Sequence, residues 1–119
     1  MSRYIQRKDG EGWAIKNGEI FRVVNNGSIA WHAGVSTLFG VSGVNNFSLG
    51  VELVGHSVEA RPLEQMTSLV KWTVAACIEY KIPLNHVVGH CHVSPGRKTD
   101  PGGLFPWFAF LNDVGRKML

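Results

Sequence analysis

The sequence has few of the residues and segments that build disulfide-stapled, membrane-spanning or secreted proteins. Among its 119 residues are two cysteines, Cys77 and Cys91, which are too few for a disulfide scaffold and compatible with a reducing cytoplasm. No apolar run approaches the length of a bilayer span, and the mean hydropathy is +0.01. The opening residues, MSRYIQRK, contain no apolar stretch of the kind found in secretory signals. We therefore expect a cytoplasmic protein with no membrane partner.

The sequence also has no large excess of either positive or negative charge. Twelve Lys and Arg residues against nine Asp and Glu residues give a net charge of +3, and the basic residues form no dense run. This balance suits an anionic polymer as partner, but it does not predict a nucleic-acid binder. With 45% hydrophobic and 18% charged residues, the composition is that of a globular protein, and we expect one domain over residues 1–119.

Hydrophobic periodicity and turn residues predict a mixed α/β chain. Asn-Gly pairs at 17–18 and 26–27 predict an antiparallel meander, and alternation predicts a strand over 47–54. Apolar residues at three- and four-residue spacing predict a helix over 62–81. The remaining predictions are meander strands near 12–15, 19–24 and 28–32, a short strand over 86–90, a last helix over 106–114, and long loops over 34–46 and 91–105.

Glu52 stands on the polar face of the predicted strand 47–54. Ser48 and Gly50 share that face, so the acid has small neighbours, as a residue lining a cleft would. The alternative is an ordinary solvated glutamate on a half-exposed strand.

The densest group of reactive side chains lies in residues 89–102, GHCHVSPGRKTDPG. His90 closes a predicted strand and Asp100 lies in a loop rich in Pro and Gly. An imidazole and a carboxylate suit Zn²⁺ when a third ligand and a water complete the site. The alternative is a polar surface loop with incidental histidines. Cys91 is better explained as a small buried residue than as a nucleophile.

Four short sequence segments, taken together and in their order along the chain, resemble a known family. Residues 30–36 (AWHAGVS), 45–55 (NNFSLGVELVG), 89–102 and 105–107 (FPW) together resemble the zinc-dependent N-acetylmuramoyl-L-alanine amidases of the AmpD-like branch, within the peptidoglycan recognition protein superfamily. The resemblance implies a mixed, twisted β-sheet flanked by helices. It also implies hydrolysis, by zinc-activated water, of the amide between N-acetylmuramic acid and L-alanine of peptidoglycan or muropeptides.

The resemblance assigns roles to eight residues. His90 and Asp100 match two zinc ligands, Glu52 matches the acid that acts as base toward the attacking water, and Lys98 matches the lysine that stabilises the oxyanion. The residues implied to contact substrate are Trp31, His32, Asn46 and Arg97.

The chain departs from the family pattern in its first residues. Family members begin with a strand that ends in the first zinc histidine, and no histidine precedes Gly12 here. We therefore expect an N-terminally truncated domain in which His32 or His92 is left to supply a third ligand. The missing strand should leave an uncovered sheet edge that favours self-association or an upstream fragment.

A second departure concerns the substrate. Val41 and Gly43 stand where AmpD-like enzymes usually carry arginines. Both anhydro-muropeptide and intact peptidoglycan therefore remain candidate substrates. The alternatives to an active amidase are a non-catalytic peptidoglycan-binding module and an inactive truncated remnant.

Overall fold

The structure is a computed structural model that describes residues 2–6, 11–24, 36–43, 48–53 and 62–119, with side chains for 13–22, 36–43, 48–53 and 62–119. The described part holds seven strands, three α-helices and a 3₁₀ turn at Leu84–His86. The strands are β1 Ser2–Gln6, β2 Glu11–Lys16, β3 Glu19–Val24, β4 Thr37–Leu38, β5 Val41–Ser42, β6 Ser48–Leu53 and β7 Val87–Gly89. The helices are α1 Leu63–Tyr80, α2 His90–Val93 and α3 Trp107–Lys117.

Five strands form one mixed sheet in the order β3-β2-β6-β1-β7. β2 pairs with β6 in parallel, whereas β1 is antiparallel to both of its neighbours, β6 and β7. β2, β6 and β7 therefore run in one direction, and their carboxyl ends lie at the same end of the sheet. The amino end of β1 reaches that end too, because its direction is reversed.

The β2–β3 hairpin is held by a tight turn and by helix α1. Asn17 and Gly18 have φ of 52° and 84°, the positive values that a two-residue Asn-Gly turn requires. The buried Gln65 amide accepts a hydrogen bond from Gly18 N–H at 2.8 Å and donates one to the Ile15 carbonyl at 2.9 Å. Ser68 Oγ donates to the Gly18 carbonyl. These bonds fix the turn against the first part of α1.

The hydrophobic core lies between one face of the sheet and helices α1 and α3. Alternate residues of β6, Leu49, Val51 and Leu53, are almost fully buried in it. The helices contribute Leu69, Trp72, Cys77, Phe110 and Val114 to the same cluster. Because α1 and α3 cover that face, Glu52 of β6 belongs to the opposite face of the sheet.

The prediction that a central strand of the sheet is missing is wrong. β1 lies between β6 and β7 and pairs with both, so the slot that we expected to be open is filled. Its five residues, SRYIQ, are too short for periodicity to distinguish them from an irregular segment. The reason for expecting an uncovered edge at this position, and self-association through it, therefore disappears.

Other predicted elements are present in the structure, some with different bounds. The helix over 62–81 is α1 and the strand over 19–24 is β3, while the predicted loop 34–46 contains the small hairpin β4–β5. His90 begins helix α2 instead of closing a strand. The predicted strand 28–32 lies outside the described residues. No helix in the described part of the chain is long and apolar enough to cross a bilayer.

Candidate active site

Glu52 is the exposed residue of a strand that is otherwise buried. In the parallel ladder it lies opposite Ala14 of β2, and in the antiparallel ladder it lies opposite Ser2 of β1. Directly opposed residues share a face of a sheet, so Ala14, Ser2 and Glu52 form one row on the face away from α1. Its exposure is consistent with both interpretations of the sequence, an acid that lines a cleft and an ordinary solvated glutamate.

His90 and Asp100 are brought together by a chain reversal after β7. Residues of the 94–102 loop fold back so that the Asp100 carbonyl accepts a hydrogen bond from Cys91 N–H at 2.9 Å. Within the loop, Arg97 and Lys98 N–H both donate to the Ser94 carbonyl, at 3.2 and 3.0 Å. The backbone of Asp100 is therefore tied to the start of α2, next to His90.

The side chains of this pair face each other at a distance that suits a shared metal ion. His90 Nδ1 lies 3.3 Å from Asp100 Oδ1, and the two side chains are 9% and 20% exposed. Two ligands of one tetrahedral zinc, each at about 2.0–2.1 Å, stand about 3.4 Å apart. The pair therefore fits as two ligands of zinc. Among the side chains that the structure describes, no third histidine, cysteine or acid joins them in a metal-binding cluster.

One cation of the loop, Arg97, contacts the pair. Arg97 Nη2 lies 3.5 Å from His90 Nε2 and donates to Ser94 Oγ at 3.2 Å. The imidazole thus has a carboxylate at one ring nitrogen and a guanidinium at the other. Lys98, the next residue, is exposed, as a side chain that meets a ligand from solvent must be.

Gly89 is a part of the site that the sequence analysis missed. A Cβ at this position would lie 2.7 Å from Cδ of Pro101 and 3.0 Å from Trp107, closer than such contacts allow. The absence of a side chain therefore lets β7 pack against the residue that follows Asp100. A Gly directly before the histidine was the available signal, since glycine marks close backbone approach.

His92 does not join the pair as a third ligand in the way that the sequence suggested. That suggestion assumed an extended chain, in which His90 and His92 share a face, but both lie on helix α2, where residues two apart point to different sides. His92 Nδ1 accepts a hydrogen bond from Gly89 N–H at 2.8 Å, and its ring packs on Trp107 with centroids 5.1 Å apart. The remaining predicted site residues, Trp31, His32 and Asn46, lie outside the described residues.

The fold and site together define the class of α/β proteins in which polar side chains, here around a His–Asp pair, gather at the end of a mixed sheet. The chain belongs to the Amidase_2 family, N-acetylmuramoyl-L-alanine amidase, which it matches over residues 4–103.

Curated relatives share this similarity over most of the chain. The 1,6-anhydro-N-acetylmuramyl-L-alanine amidase AmpD of Haemophilus influenzae is 41% identical over 100 residues, which cover 83% of this chain and 54% of that protein. The AmpD of Citrobacter freundii is 41% identical over 95 residues, 80% of this chain and 51% of that protein. The chain thus spans about half the length of the curated relatives it matches.

Solved structures confirm the fold class. A selenomethionine derivative of AmpD superposes with a TM-score of 0.79 at 36% identity, covering 92% of this chain and 59% of that one. The amidase AmiD from E. coli, in a complex with anhydro-N-acetylmuramic acid-L-Ala-D-gamma-Glu-L-Lys, has a TM-score of 0.75 at 30% identity, covering 85% and 46%. The predicted mixed sheet flanked by helices is therefore confirmed.

Proposed function

We propose that this chain is an amidase that hydrolyses the amide between N-acetylmuramic acid and L-alanine in peptidoglycan fragments. The observation that carries the proposal is the His90–Asp100 pair, 3.3 Å apart, at the sheet end that also holds Glu52. The names of the relatives make an anhydro-muropeptide the first substrate to test.

His90 Nδ1 and Asp100 Oδ1 are the atoms that we propose to hold Zn²⁺. Zinc bound there would lower the pKa of a water molecule to about 7 and polarise the scissile carbonyl. The burial of His90 supports this role, because a ligand with 9% exposure is shielded from competition by bulk water.

Glu52, Lys98 and Arg97 then have separate tasks. Glu52 accepts a proton from the attacking water and passes it to the leaving amine as the carbon–nitrogen bond breaks. The Lys98 ammonium compensates the negative charge that develops on the carbonyl oxygen. The Arg97 guanidinium binds carboxylates of the peptide portion of the substrate. The products are a lactyl carboxylate and a peptide with a free L-alanine amino terminus.

The acid on β6 provides the test of this function. The chain is incubated with zinc and anhydro-N-acetylmuramyl peptide, and the released peptide is measured by mass spectrometry. Glu52→Gln should lower kcat by about 10²–10⁴-fold, the usual contribution of a general base, and leave zinc affinity unchanged. Glu79→Gln, an exposed acid on α1, is the matched control and should keep the wild-type rate. Equal rates for Glu52→Gln and wild type would contradict the proposal.

A non-catalytic module that binds peptidoglycan is the second candidate. It is favoured by the presence of two, not three, ligating side chains in the described part of the site. In the same experiment this module would retain the muropeptide without releasing a free L-alanine amino terminus.

We propose in addition that residues 1–119 act as one amidase-like domain in the cytoplasm. Both cysteines are free thiols, which suits a reducing compartment. Fluorescence microscopy of the tagged chain in its own cells tests the location.

A further inference from the structure

A phenylalanine on β3, the first strand in the order of the sheet, lies on the same face as Glu52. Phe21 is the partner of Ala14 in the β2–β3 ladder, and Ala14 is the partner of Glu52 in the β2–β6 ladder. Directly opposed residues share a face, so Phe21, Ala14 and Glu52 form one row on the face away from α1. Neighbouring strands are about 4.8 Å apart, which places the backbone of Phe21 about 10 Å from that of Glu52.

This row is accessible, whereas the same face is closed toward the amino end of β6. Phe21 is 47% exposed, Ala14 is half-buried and Glu52 is exposed. Ser48 and Gly50, which share the face with Glu52, are both buried. Within the described residues, the accessible part of this face therefore lies at the carboxyl ends of β2 and β6, the end of the sheet that also holds the His–Asp pair.

Opposite charges border the row beside Phe21. Lys16 and Glu19 are partners in the β2–β3 ladder, two residues from Ala14 and Phe21 and on the same face, and both are exposed. An aromatic ring offers a broad apolar surface, and charged side chains beside it donate and accept hydrogen bonds. A pyranose ring needs both, because its C–H groups form an apolar face and its hydroxyl groups require hydrogen-bond partners. Ala14, Lys16, Glu19 and Phe21 together form the Phe21 patch.

We propose that the Phe21 patch binds the N-acetylmuramic acid ring of the substrate, with the phenyl ring packed on its apolar face. This inference rests on the proposed function and says where the sugar of that substrate lies. Arg97, to which we assign the peptide carboxylates, contacts His90 at the other side of the sheet, beyond β1 and β7. A substrate with its amide at Glu52 therefore lies across the strands, with its peptide toward β7 and its sugar toward β3.

Isothermal titration calorimetry on the metal-free chain tests the inference with two probes. One is anhydro-N-acetylmuramyl-L-Ala-D-γ-Glu-L-Lys, and the other is the same tripeptide without the sugar. Phe21→Ala should raise the Kd of the sugar-bearing probe by about tenfold, a usual effect of removing an aromatic contact, and leave the Kd of the free peptide unchanged. Phe21→Trp keeps an aromatic surface and should bind both probes as the wild type does.

Phe108→Ala is the matched control, because Phe108 is 87% exposed on α3, which packs on the opposite face of the sheet. It should change neither Kd. The inference is overturned if folded Phe21→Ala binds the sugar-bearing probe as tightly as wild type, or if Phe108→Ala loses as much affinity. An equal loss for the free peptide in Phe21→Ala would also overturn it, since the peptide would then occupy the patch.

This inference and the proposed function fail separately. A zinc-loaded wild-type chain that cleaves the muropeptide, with no change of Kd in Phe21→Ala, contradicts the position of the sugar alone. A sugar-specific loss of affinity in Phe21→Ala, in a chain that never cleaves the muropeptide, contradicts the amidase activity alone.

Discussion

His90 and Asp100 are ten positions apart in the sequence, yet their ring nitrogen and carboxylate oxygen are 3.3 Å apart. The residue types alone indicated a metal-ligating pair, since imidazole and carboxylate are zinc ligands. The distance depends on the backbone bond from Cys91 to Asp100, which no pattern of side chains predicts. For the same reason the contact between Arg97 and the other ring nitrogen of His90 could be found only from the structure.

Lys98 offers a test at the residue scale. Replacing it with methionine keeps the length of the side chain and removes the charge, so in the role that we propose for Lys98 the oxyanion would lose its donor. We expect kcat to fall by about 10²-fold or more in Lys98→Met while KM changes little, as measured by steady-state hydrolysis of the anhydro-muropeptide. Lys71→Met, at an exposed position on α1, is the control. A large rise in KM with unchanged kcat would instead assign Lys98 to ground-state binding.

The Cys77 thiol predicts a pH dependence of stability. Burial raises the pKa of Cys77 from 9.0 to about 11. Below pH 9 the thiol is protonated in the folded and the unfolded chain, and between pH 9 and 11 the unfolded chain ionises first. The free energy of unfolding should therefore fall as pH rises through this range, by up to about 2–3 kcal/mol.

Comparison with Cys77→Ala isolates that contribution, because other titrating groups are common to both proteins. Urea unfolding at pH 8.5 and pH 10.5 should show a larger loss in wild type than in the variant. Parallel losses in the two proteins would show that the thiol does not contribute.

At the scale of elements, long periodic segments were predicted well and short ones were not. The 18 residues of α1 carry enough turns for a helical pattern, and Asn17-Gly18 specifies its hairpin by backbone conformation. By contrast, the four residues of α2 and the five of β1 are set by packing and pairing, which leave no periodic signal. Three wrong predictions concern these two elements: that His90 closes a strand, that His90 and His92 share a face of an extended chain, and that the central position of the sheet is empty.

Aromatic residues of α3 illustrate the same limit. Phe110 lies in the core and is 1% exposed, whereas Phe108, two residues earlier, is 87% exposed. The two residues lie about 200° apart around a helix, so one faces the sheet and the other faces solvent. A predicted helix alone did not say which side would pack.

The contact between β7 and the Asp100 loop can be tested through Gly89. In Gly89→Ala the new methyl group would overlap Pro101, whose ring cannot rotate away, and the loop must shift. We expect a loss of about 1–3 kcal/mol in the free energy of unfolding, measured with denaturant, together with weaker zinc binding. Gly103→Ala is the control, because a methyl group there meets no atom within 4 Å. Unchanged zinc affinity in folded Gly89→Ala would show that the position of Asp100 does not depend on this contact.

For the whole molecule, the blocks around residues 30–36, 45–55 and 89–102 were sufficient to predict the family, which the match over residues 4–103 confirms. The prediction of an open position in the sheet was wrong because β1, a short strand that pairs through its backbone with β6 and β7, fills it. The net charge of +3, with exposed Arg97 in contact with His90, suits a substrate that carries carboxylates. The fold, the pair and the charge are each consistent with the site that we propose.

The most direct measurement of that site follows hydrolysis and zinc occupancy together in one titration of the metal-free chain. The account predicts that the rate of anhydro-muropeptide cleavage rises in proportion to bound zinc, to one zinc per chain, and that His90→Ala and Asp100→Ala lose both signals. Cleavage that continues at the full rate in excess chelator, or zinc binding that survives both substitutions, would contradict it.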